Sequence, residues 1–281
     1  MVDRASVIAP PGACDCHMHF FDARFALAAN ARRKEHDATV ADYRRVQQRL
    51  GLSRVVVVQP TAYGRDNSCT LAAMAELGGD KARGVAVIDP ATPDAEIERL
   101  TLAGMRGVRF RMLEPPELPW DLLEPMAARL ANFGWHVQFQ MDGRDFEARE
   151  TLLKRLPCTL VIEHVGKFLE PVPVSHPGFQ SLLRLVDTGR VWVKLSGAYM
   201  MSKSGPPLYS DIGALAKELV KRAPERMVWA SNWPHPLPAA GGEKPDEAVL
   251  LDLMLDWAPD TATRNRFLAD NPAQLYGFPA L

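Results

Sequence analysis

The chain has 281 residues, of which 47% are hydrophobic and 24% are charged, a composition typical of a globular protein with a large core. The formal net charge is -1 and no run of basic residues occurs, so neither nucleic acid nor an anionic membrane is expected as a partner. No apolar stretch reaches the length of a membrane span, and residues 1–13 lack the apolar region of a signal peptide. These features predict a cytoplasmic protein.

Eight short apolar runs recur along the chain, and most are followed by an amphipathic segment. Several runs, such as 55–58, are β-branched and nearly continuous, which is typical of parallel strands covered on both faces. The predicted strands are 13–19, 54–59, 84–89, 107–112, 136–141, 159–164, 191–196 and 227–232. The predicted helices between them include 41–50, 70–77, 95–103, 122–132 and 146–156.

This β–α alternation, with no long linker or shift in composition, predicts an α/β fold in which residues 1–281 form a single (β/α)8 TIM barrel domain. A doubly wound sheet is the alternative, but no Gly-x-Gly-x-x-Gly follows the first predicted strand and no Walker A loop occurs. The segments 20–39, 197–211 and 233–246, which follow strands 1, 7 and 8, are long. Barrel enzymes build their sites from such segments, so a covered pocket for a small molecule is expected there.

The first predicted strand carries Asp15, His17 and His19 at alternate positions. Because side chains two apart share one face of an extended strand, these three are expected to project together. A His-x-His pair at a strand end is a compact site for an electrophile or a metal. Packing seldom requires two imidazoles on one strand face, so the pattern favours a functional site over a purely structural one.

Polar residues also end most of the other predicted strands. A barrel interior is normally filled with branched apolar side chains, so charged groups there need partners, and an anionic ligand would provide them. Arg109 and Lys194 could instead pair within the core, and His136, at the opposite end of its strand, is expected to be a core residue. The inward or loop residues are Gln59 and Tyr63 (strand 2), Arg109 and Arg111 (strand 4), Gln138 and Gln140 (strand 5), His164 and Lys167 (strand 6), Lys194, Ser196 and Tyr199 (strand 7), and Asn232 and His235 (strand 8).

Four motifs occur in order along the chain: His17-x-His19, Glu163-His164-Val165-Gly166-Lys167, Val193-Lys194-Leu195-Ser196-Gly197 and Trp229-Ala230-Ser231-Asn232-Trp233-Pro234-His235. They resemble the amidohydrolase superfamily, and more narrowly its branch containing 2-pyrone-4,6-dicarboxylate lactonase. The resemblance spans the whole chain, including 271–278, and implies an enzyme that acts on a small anionic lactone. It also implies that His17, His19 and His164 surround the lactone carbonyl oxygen. Arg109, Arg111 and Lys167 would hold the substrate carboxylate, with Gln59, Tyr63, Gln140, Ser196, Tyr199 and His235 lining the pocket.

The resemblance also bears on metal binding. A binuclear centre of this superfamily needs a carboxylate or carbamylated lysine on strand 4 and further histidines on strands 5 and 6. Here the predicted strand 4 ends in arginines and strand 5 in glutamines, and positive charge repels a divalent cation. Neither a metal nor any other cofactor is therefore expected.

Asn232 departs from the superfamily, which places an aspartate at the end of strand 8 to take a proton from the attacking water. An asparagine cannot accept that proton near neutral pH. The chain could therefore be an Asp→Asn variant of a lactonase, a degenerate binding protein, or an enzyme whose chemistry does not use water.

The third possibility has a counterpart in the branch, which includes galactarolactone isomerases. A nucleophilic hydroxyl within the substrate has an effective molarity of about 10⁵–10⁸ M, which can replace an activated water. The leading hypothesis is isomerisation of D-galactaro-1,5-lactone to the 1,4-lactone by intramolecular acyl transfer without metal. The alternative is a metal-independent lactone hydrolase of the pyrone-dicarboxylate type.

Overall fold

The computed structural model describes residues 4–29, 31, 37–113, 118–236 and 244–280. Eight parallel strands pair in sequence order to form one sheet. His19 N donates to Trp233 O (2.8 Å) and Asn232 N donates to His17 O (2.8 Å), so the end of the first strand joins the segment after the last. The predicted (β/α)8 barrel is confirmed. The strands are β1 (Cys14–Met18), β2 (Arg54–Val58), β3 (Ala82–Ala86), β4 (Met105–Arg111), β5 (His136–Gln140), β6 (Leu160–Ile162), β7 (Val191–Leu195) and β8 (Met227–Trp229).

Helices connect successive strands around the outside of the sheet, and all five predicted helices overlap an observed one. Within the described part of the chain, no helix combines the length and hydropathy needed to cross a membrane. The helices are α1 (Val40–Leu50), α2 (Ser68–Leu77), α3 (Asp94–Leu102), α4 (Leu123–Ala131), α5 (Phe146–Arg155), α6 (Pro177–Val186), α7 (Ser210–Arg222), α8 (Glu247–Trp257), α9 (Thr261–Asn265) and α10 (Asn271–Tyr276).

Alternate strand residues pack on opposite faces of the sheet. In β2, Val55 and Val57 belong to the apolar layer beneath the helices, whereas Val56 and Val58 belong to the cluster inside the barrel. Both faces are therefore buried, which explains why the strands are apolar along their whole length. His136 is also buried, as predicted, with its ring edge-on to Tyr276.

The side chain of Asp15 does not project with those of His17 and His19. Asp15 is turned toward α1, where it accepts a hydrogen bond from Tyr43 Oη at 3.0 Å. The pairing of β1 with β2 shifts register between Asp15 and Met18. Such an irregularity breaks the two-residue alternation of the strand, so the expectation of one shared face was wrong for Asp15.

All eight predicted strands extend too far at their carboxyl ends, five of them by one residue and 84–89, which ends at Ala86, by three. The segment predicted as 159–164 is a strand only to Ile162, and the one predicted as 227–232 only to Trp229. The backbone turns into the left-handed region at His164 (φ 54°) and Asn232 (φ 61°), which is incompatible with an extended strand. These turns set the direction of the side chains at the end of the barrel.

Candidate active site at the carboxyl ends of the strands

Three histidines meet at the end of the barrel. His17 and His19 come from the end of β1, and His164 from the 3-10 turn that follows β6. The ring centroid of His17 lies 4.9 Å from that of His19 and 4.8 Å from that of His164. All three are buried, so the structure brings together the imidazoles singled out from the sequence.

Burial keeps the three imidazoles neutral. It lowers the pKa of His19 to about 3, and it lowers the pKa values of His17 and His164 well below the ordinary value. His19 Nδ1 lies 2.8 Å from Val58 O, which can only accept, so Nδ1 carries the proton and Nε2 is left as an acceptor. His17 Nε2, 3.3 Å from His19 Nε2, is therefore the donor of that pair.

The third imidazole, that of His164, is oriented on both sides. Its Nε2 lies 3.4 Å from Glu163 Oε2, and its Nδ1 lies 2.9 Å from Ser196 Oγ. The nearby carboxylate favours the proton on Nε2, which leaves Nδ1 to accept from the serine hydroxyl. Ser196 thus contacts a histidine of the site, while Gln140 is buried at the end of neighbouring β5.

A buried network of charged and amide groups supports the histidines from inside the barrel. Arg109 donates to Glu163 through Nε–Oε1 (2.7 Å) and Nη2–Oε2 (2.9 Å). Gln138 Nε2 donates to Glu163 Oε1 at 2.6 Å, and Lys194 Nζ donates to Gln138 Oε1 at 2.5 Å. Although burial raises the pKa of Glu163, the Arg109 charge outweighs it and holds that pKa well below its usual range. Arg109 therefore lies in an internal ion pair, one of its two predicted placements.

Lys167 presents a buried cation to the same region. Its Nζ lies 3.4 Å from Met200 Sδ and 3.5 Å from Met201 Sδ, and no carboxylate of the described residues forms an ion pair with it. Burial lowers the pKa of Lys167 to about 8. Thioethers are weak acceptors, so an anionic ligand would satisfy this ammonium better than the protein does. Arg111, half-buried at the end of β4, donates to Leu113 O at 3.3 Å.

A series of hydrogen bonds runs from the end of β8 to α8. Asn232 Nδ2 donates to Tyr199 Oη at 2.7 Å, and Tyr199 Oη lies 3.1 Å from His235 Nδ1. His235 Nε2 lies 3.2 Å from Glu247 Oε1, and Glu247 Oε2 accepts from Arg49 Nη1 at 3.2 Å. Sequence reasoning did not single out Glu247, because no motif marks the first residue of α8.

Gln59 and Tyr63 hold the loops that follow β1 and β2. Gln59 Nε2 donates to Gly64 O at 3.1 Å and to Asp66 O at 2.8 Å. Tyr63 Oη accepts from Asp22 N at 2.9 Å. Both side chains thus have loop-supporting contacts, and their role in substrate binding stays a prediction.

The backbone at the site adopts conformations that residues other than glycine rarely occupy. The φ angles are 54° at His164, 53° at Val165, 52° at Lys167, 61° at Asn232 and 60° at His235. Each such residue costs of order 1–3 kcal/mol, and such strain is retained mainly at functional sites. The turns after β6 and β8 are therefore held in place to aim these side chains.

One group of side chains has the spacing of metal ligands. Single ligand atoms of His17, Glu163 and His164 all lie within 4.8 Å of one another. Both oxygens of Glu163 are already bonded by Arg109, however, and Lys194 Nζ lies 3.4 Å from His17 Nδ1. A divalent cation would have to displace a guanidinium and sit beside an ammonium, so this donor set does not fit one.

Comparisons with known proteins find similarity along nearly the whole chain. The sequence profile of the family described as Amidohydrolase matches residues 14–278. The protein is 35% identical to D-galactarolactone isomerase of Agrobacterium fabrum over 95% of its own length and 91% of that relative. It is 33% identical to 2-pyrone-4,6-dicarboxylate hydrolase of Comamonas testosteroni over 95% of its own length and 90% of that relative. An apo crystal structure from Agrobacterium tumefaciens matches with a TM-score of 0.89 at 34% identity, covering 97% of this protein and 98% of that one.

Proposed function

Because the chain belongs to the amidohydrolase family, and its relatives are named as enzymes of lactones, we propose that it isomerises the 1,5-lactone of D-galactarate to the 1,4-lactone. The observation that carries this proposal is the hydrogen bond donated by Asn232. Its amide donates to Tyr199 Oη at 2.7 Å, a bond that a carboxylate could not donate. The group at the end of β8 is therefore used as a donor, which suits a reaction that does not deprotonate water.

The reaction consists of one acyl transfer within the substrate. The C4 hydroxyl attacks the C1 carbonyl, the C1–O5 bond then breaks, and the proton lost from O4 is gained by O5. The N–H of His17 Nε2, which donates to His19 Nε2 at 3.3 Å, would turn to the oxyanion that forms at C1. Removing a single donor of this kind commonly costs about 10²–10³-fold in kcat.

The free carboxylate of the substrate binds to Lys167 and Arg111. Lys167 is the stronger anchor, because its ammonium is buried and, among the described residues, has only thioether sulfurs within hydrogen-bond range. Met200 Sδ lies 3.4 Å from Lys167 Nζ and 3.7 Å from Asn232 Nδ2. One compact ligand can therefore reach both the cation and the reacting end of the site. Arg109 acts indirectly, by fixing Glu163 and through it His164.

The test treats D-galactaro-1,5-lactone with the purified protein in water enriched in oxygen-18, identifies the products by proton NMR and reads the label by mass spectrometry. The expected product is the 1,4-lactone without the label, because no water is consumed. Spontaneous ring opening is subtracted by a sample without protein. Labelled, ring-opened galactarate as the main enzymatic product would contradict the proposal and would favour the lactone hydrolase instead.

A further inference from the structure

We propose that Tyr199, His235 and Glu247 form a proton relay that carries the proton from O4 to O5 during the acyl transfer. Tyr199 is the catalytic residue that contacts the reacting oxygens, and His235 and Glu247 act through it. This inference rests on the proposed isomerase function and deepens it, since the acyl transfer requires one proton to change places.

The hydrogen-bond partners of the relay fix the direction in which it runs. Glu247 is held ionised: burial raises its pKa, but the bond from His235 and the charge of Arg49 bring it below its usual value. A carboxylate only accepts, so the His235 Nε2, 3.2 Å away, carries the proton. When the ring carries that proton alone, Nδ1 is bare and accepts the hydroxyl of Tyr199 at 3.1 Å.

The phenol oxygen of Tyr199 has room for one more hydrogen bond. It holds one hydrogen, which is donated to His235, and two lone pairs, of which one accepts from Asn232 at 2.7 Å. The remaining lone pair can accept a substrate hydroxyl. Burial raises the pKa of Tyr199 well above its usual value, so the phenol keeps its proton at neutral pH. It becomes a base only when His235 takes that proton in the same step.

The three clustered histidines are poorer bases than this relay. Burial and nearby cations, Lys194 at His17 and Arg109 at His19, depress their pKa values. The bare nitrogen of each already faces a donor: Lys194 for His17, His17 for His19 and Ser196 for His164. None of the three therefore offers a free lone pair to a substrate proton.

The proton transfers of the relay need no other reactant. As O4 bonds to C1, its proton passes to Tyr199 Oη and the Tyr199 proton passes to His235 Nδ1. The imidazolium is stabilised by the Glu247 carboxylate, in the manner of a Ser-His-Asp triad. When the C1–O5 bond breaks, Tyr199 protonates O5 and recovers its proton from His235.

The test compares Tyr199→Phe, Glu247→Gln and the double variant with the unaltered protein. We expect Tyr199→Phe to lower kcat for isomerisation by about 10²–10⁴-fold, and Glu247→Gln by at least about tenfold. KM, and the Kd of non-reacting galactarate measured by calorimetry, should change by less than about threefold. The double variant should be no slower than Tyr199→Phe, because residues that act as one unit are not additive.

Tyr209→Phe is the matched control. Tyr209 also lies in the segment after β7 and is buried, but it is outside the relay, so the same loss of a hydroxyl should leave kcat unchanged. If Tyr199→Phe does not fold, as judged by its thermal melting, His235→Asn takes its place with the same expectation.

Three outcomes would contradict the relay, and one of them would also contradict the isomerase function. An undiminished kcat in folded Tyr199→Phe, or losses that multiply in the double variant, would overturn the relay while leaving the isomerase intact. An unaltered protein that forms no 1,4-lactone from the 1,5-lactone would overturn the proposed function and the relay with it.

Discussion

Under the proposed function, the amide of Asn232, which follows β8, selects isomerisation over hydrolysis. Its Nδ2 donates to Tyr199 and lies 3.7 Å from Met200 Sδ, so the amide group is oriented by its surroundings. An aspartate there would present two acceptors, and the hydroxyl of Tyr199 would turn toward it and away from His235. The choice of amide keeps the Tyr199 hydroxyl directed at His235 and leaves water without a base.

Asn232→Asp is therefore expected to create hydrolysis and to slow isomerisation. A carboxylate close to Lys167 stays ionised and can activate water. The ratio of ring-opened acid to 1,4-lactone, measured by NMR with the 1,5-lactone, should rise. An unaltered ratio in a folded variant would contradict this role for the amide. If the unaltered protein is inactive but Asn232→Asp hydrolyses strongly, the protein is a decayed or altered lactonase.

Binding of the substrate carboxylate should depend on the charge of Lys167. Because burial lowers its pKa to about 8, the ammonium is positive below that pH and is lost above it. The affinity for galactarate, which avoids the alkaline opening of a lactone, should fall as the pH rises through about 8. Lys167→Arg, always charged, should remove this decline. An equally steep decline in Lys167→Arg would show that another group causes the loss of affinity.

Removing the cation tests the same contact by a different route. Lys167→Met keeps much of the side-chain volume but loses the charge-assisted contact, which should cost about 2–3 kcal/mol in kcat/KM. The loss should be measured on the 1,5-lactone at a pH near 7, where Lys167 is charged. Unchanged kinetics would place the carboxylate elsewhere in the pocket.

At the scale of elements, the turns after β6 and β7 are packed against each other. Gly197, with φ 66°, begins the turn after β7, and a Cβ there would lie 2.4 Å from Met200 Cε and 2.9 Å from His164 Nδ1. A glycine is required both by the backbone conformation and by the imidazole that packs on it. The two turns thus fix the position of His164 from opposite sides.

Gly197→Ala should accordingly displace His164 and strain the turn. We expect a loss of about 1 kcal/mol or more in the free energy of unfolding and about 10²-fold in kcat. Gly79→Ala, where a Cβ would meet nothing within 4 Å, is the control and should change neither quantity. If Gly197→Ala kept full activity although its melting temperature fell, the turn would contribute to stability and not to catalysis.

At the scale of the whole molecule, the buried cations determine what the barrel can hold. Arg109, Lys167 and Lys194 are all buried near the histidines, and only one carboxylate, Glu163, is bonded among them in the described part of the chain. The excess of positive charge favours an organic anion over a divalent metal ion.

Metal should therefore be dispensable for the activity. Exhaustive dialysis against a chelator, followed by elemental analysis and assay with the 1,5-lactone, should leave the rate within about twofold. The control is the same protein dialysed without chelator. A rate that disappears on removal of zinc and returns on its addition would overturn the metal-free mechanism.

The sequence by itself determined the barrel and much of its site. Apolar runs at regular intervals predict eight strands, because both faces of a parallel sheet are buried and each strand must be apolar throughout. The polar residues that follow these runs predict where the site lies, and His17, His19 and His164 do meet there.

Only the tertiary structure decided which polar groups face one another. Strand alternation is a local rule, and it failed at Asp15, where the pairing of β1 with β2 shifts register. It also missed that Glu163 and His164, adjacent in sequence, contact each other beside the site, because the left-handed turn depends on packing around it. Glu247 belongs to the site because α8 packs beside His235. No local sequence pattern specifies this contact between two segments. Local periodicity determines where the helices and strands form. Strand register, turns and packing between distant segments determine which side chains meet at the site.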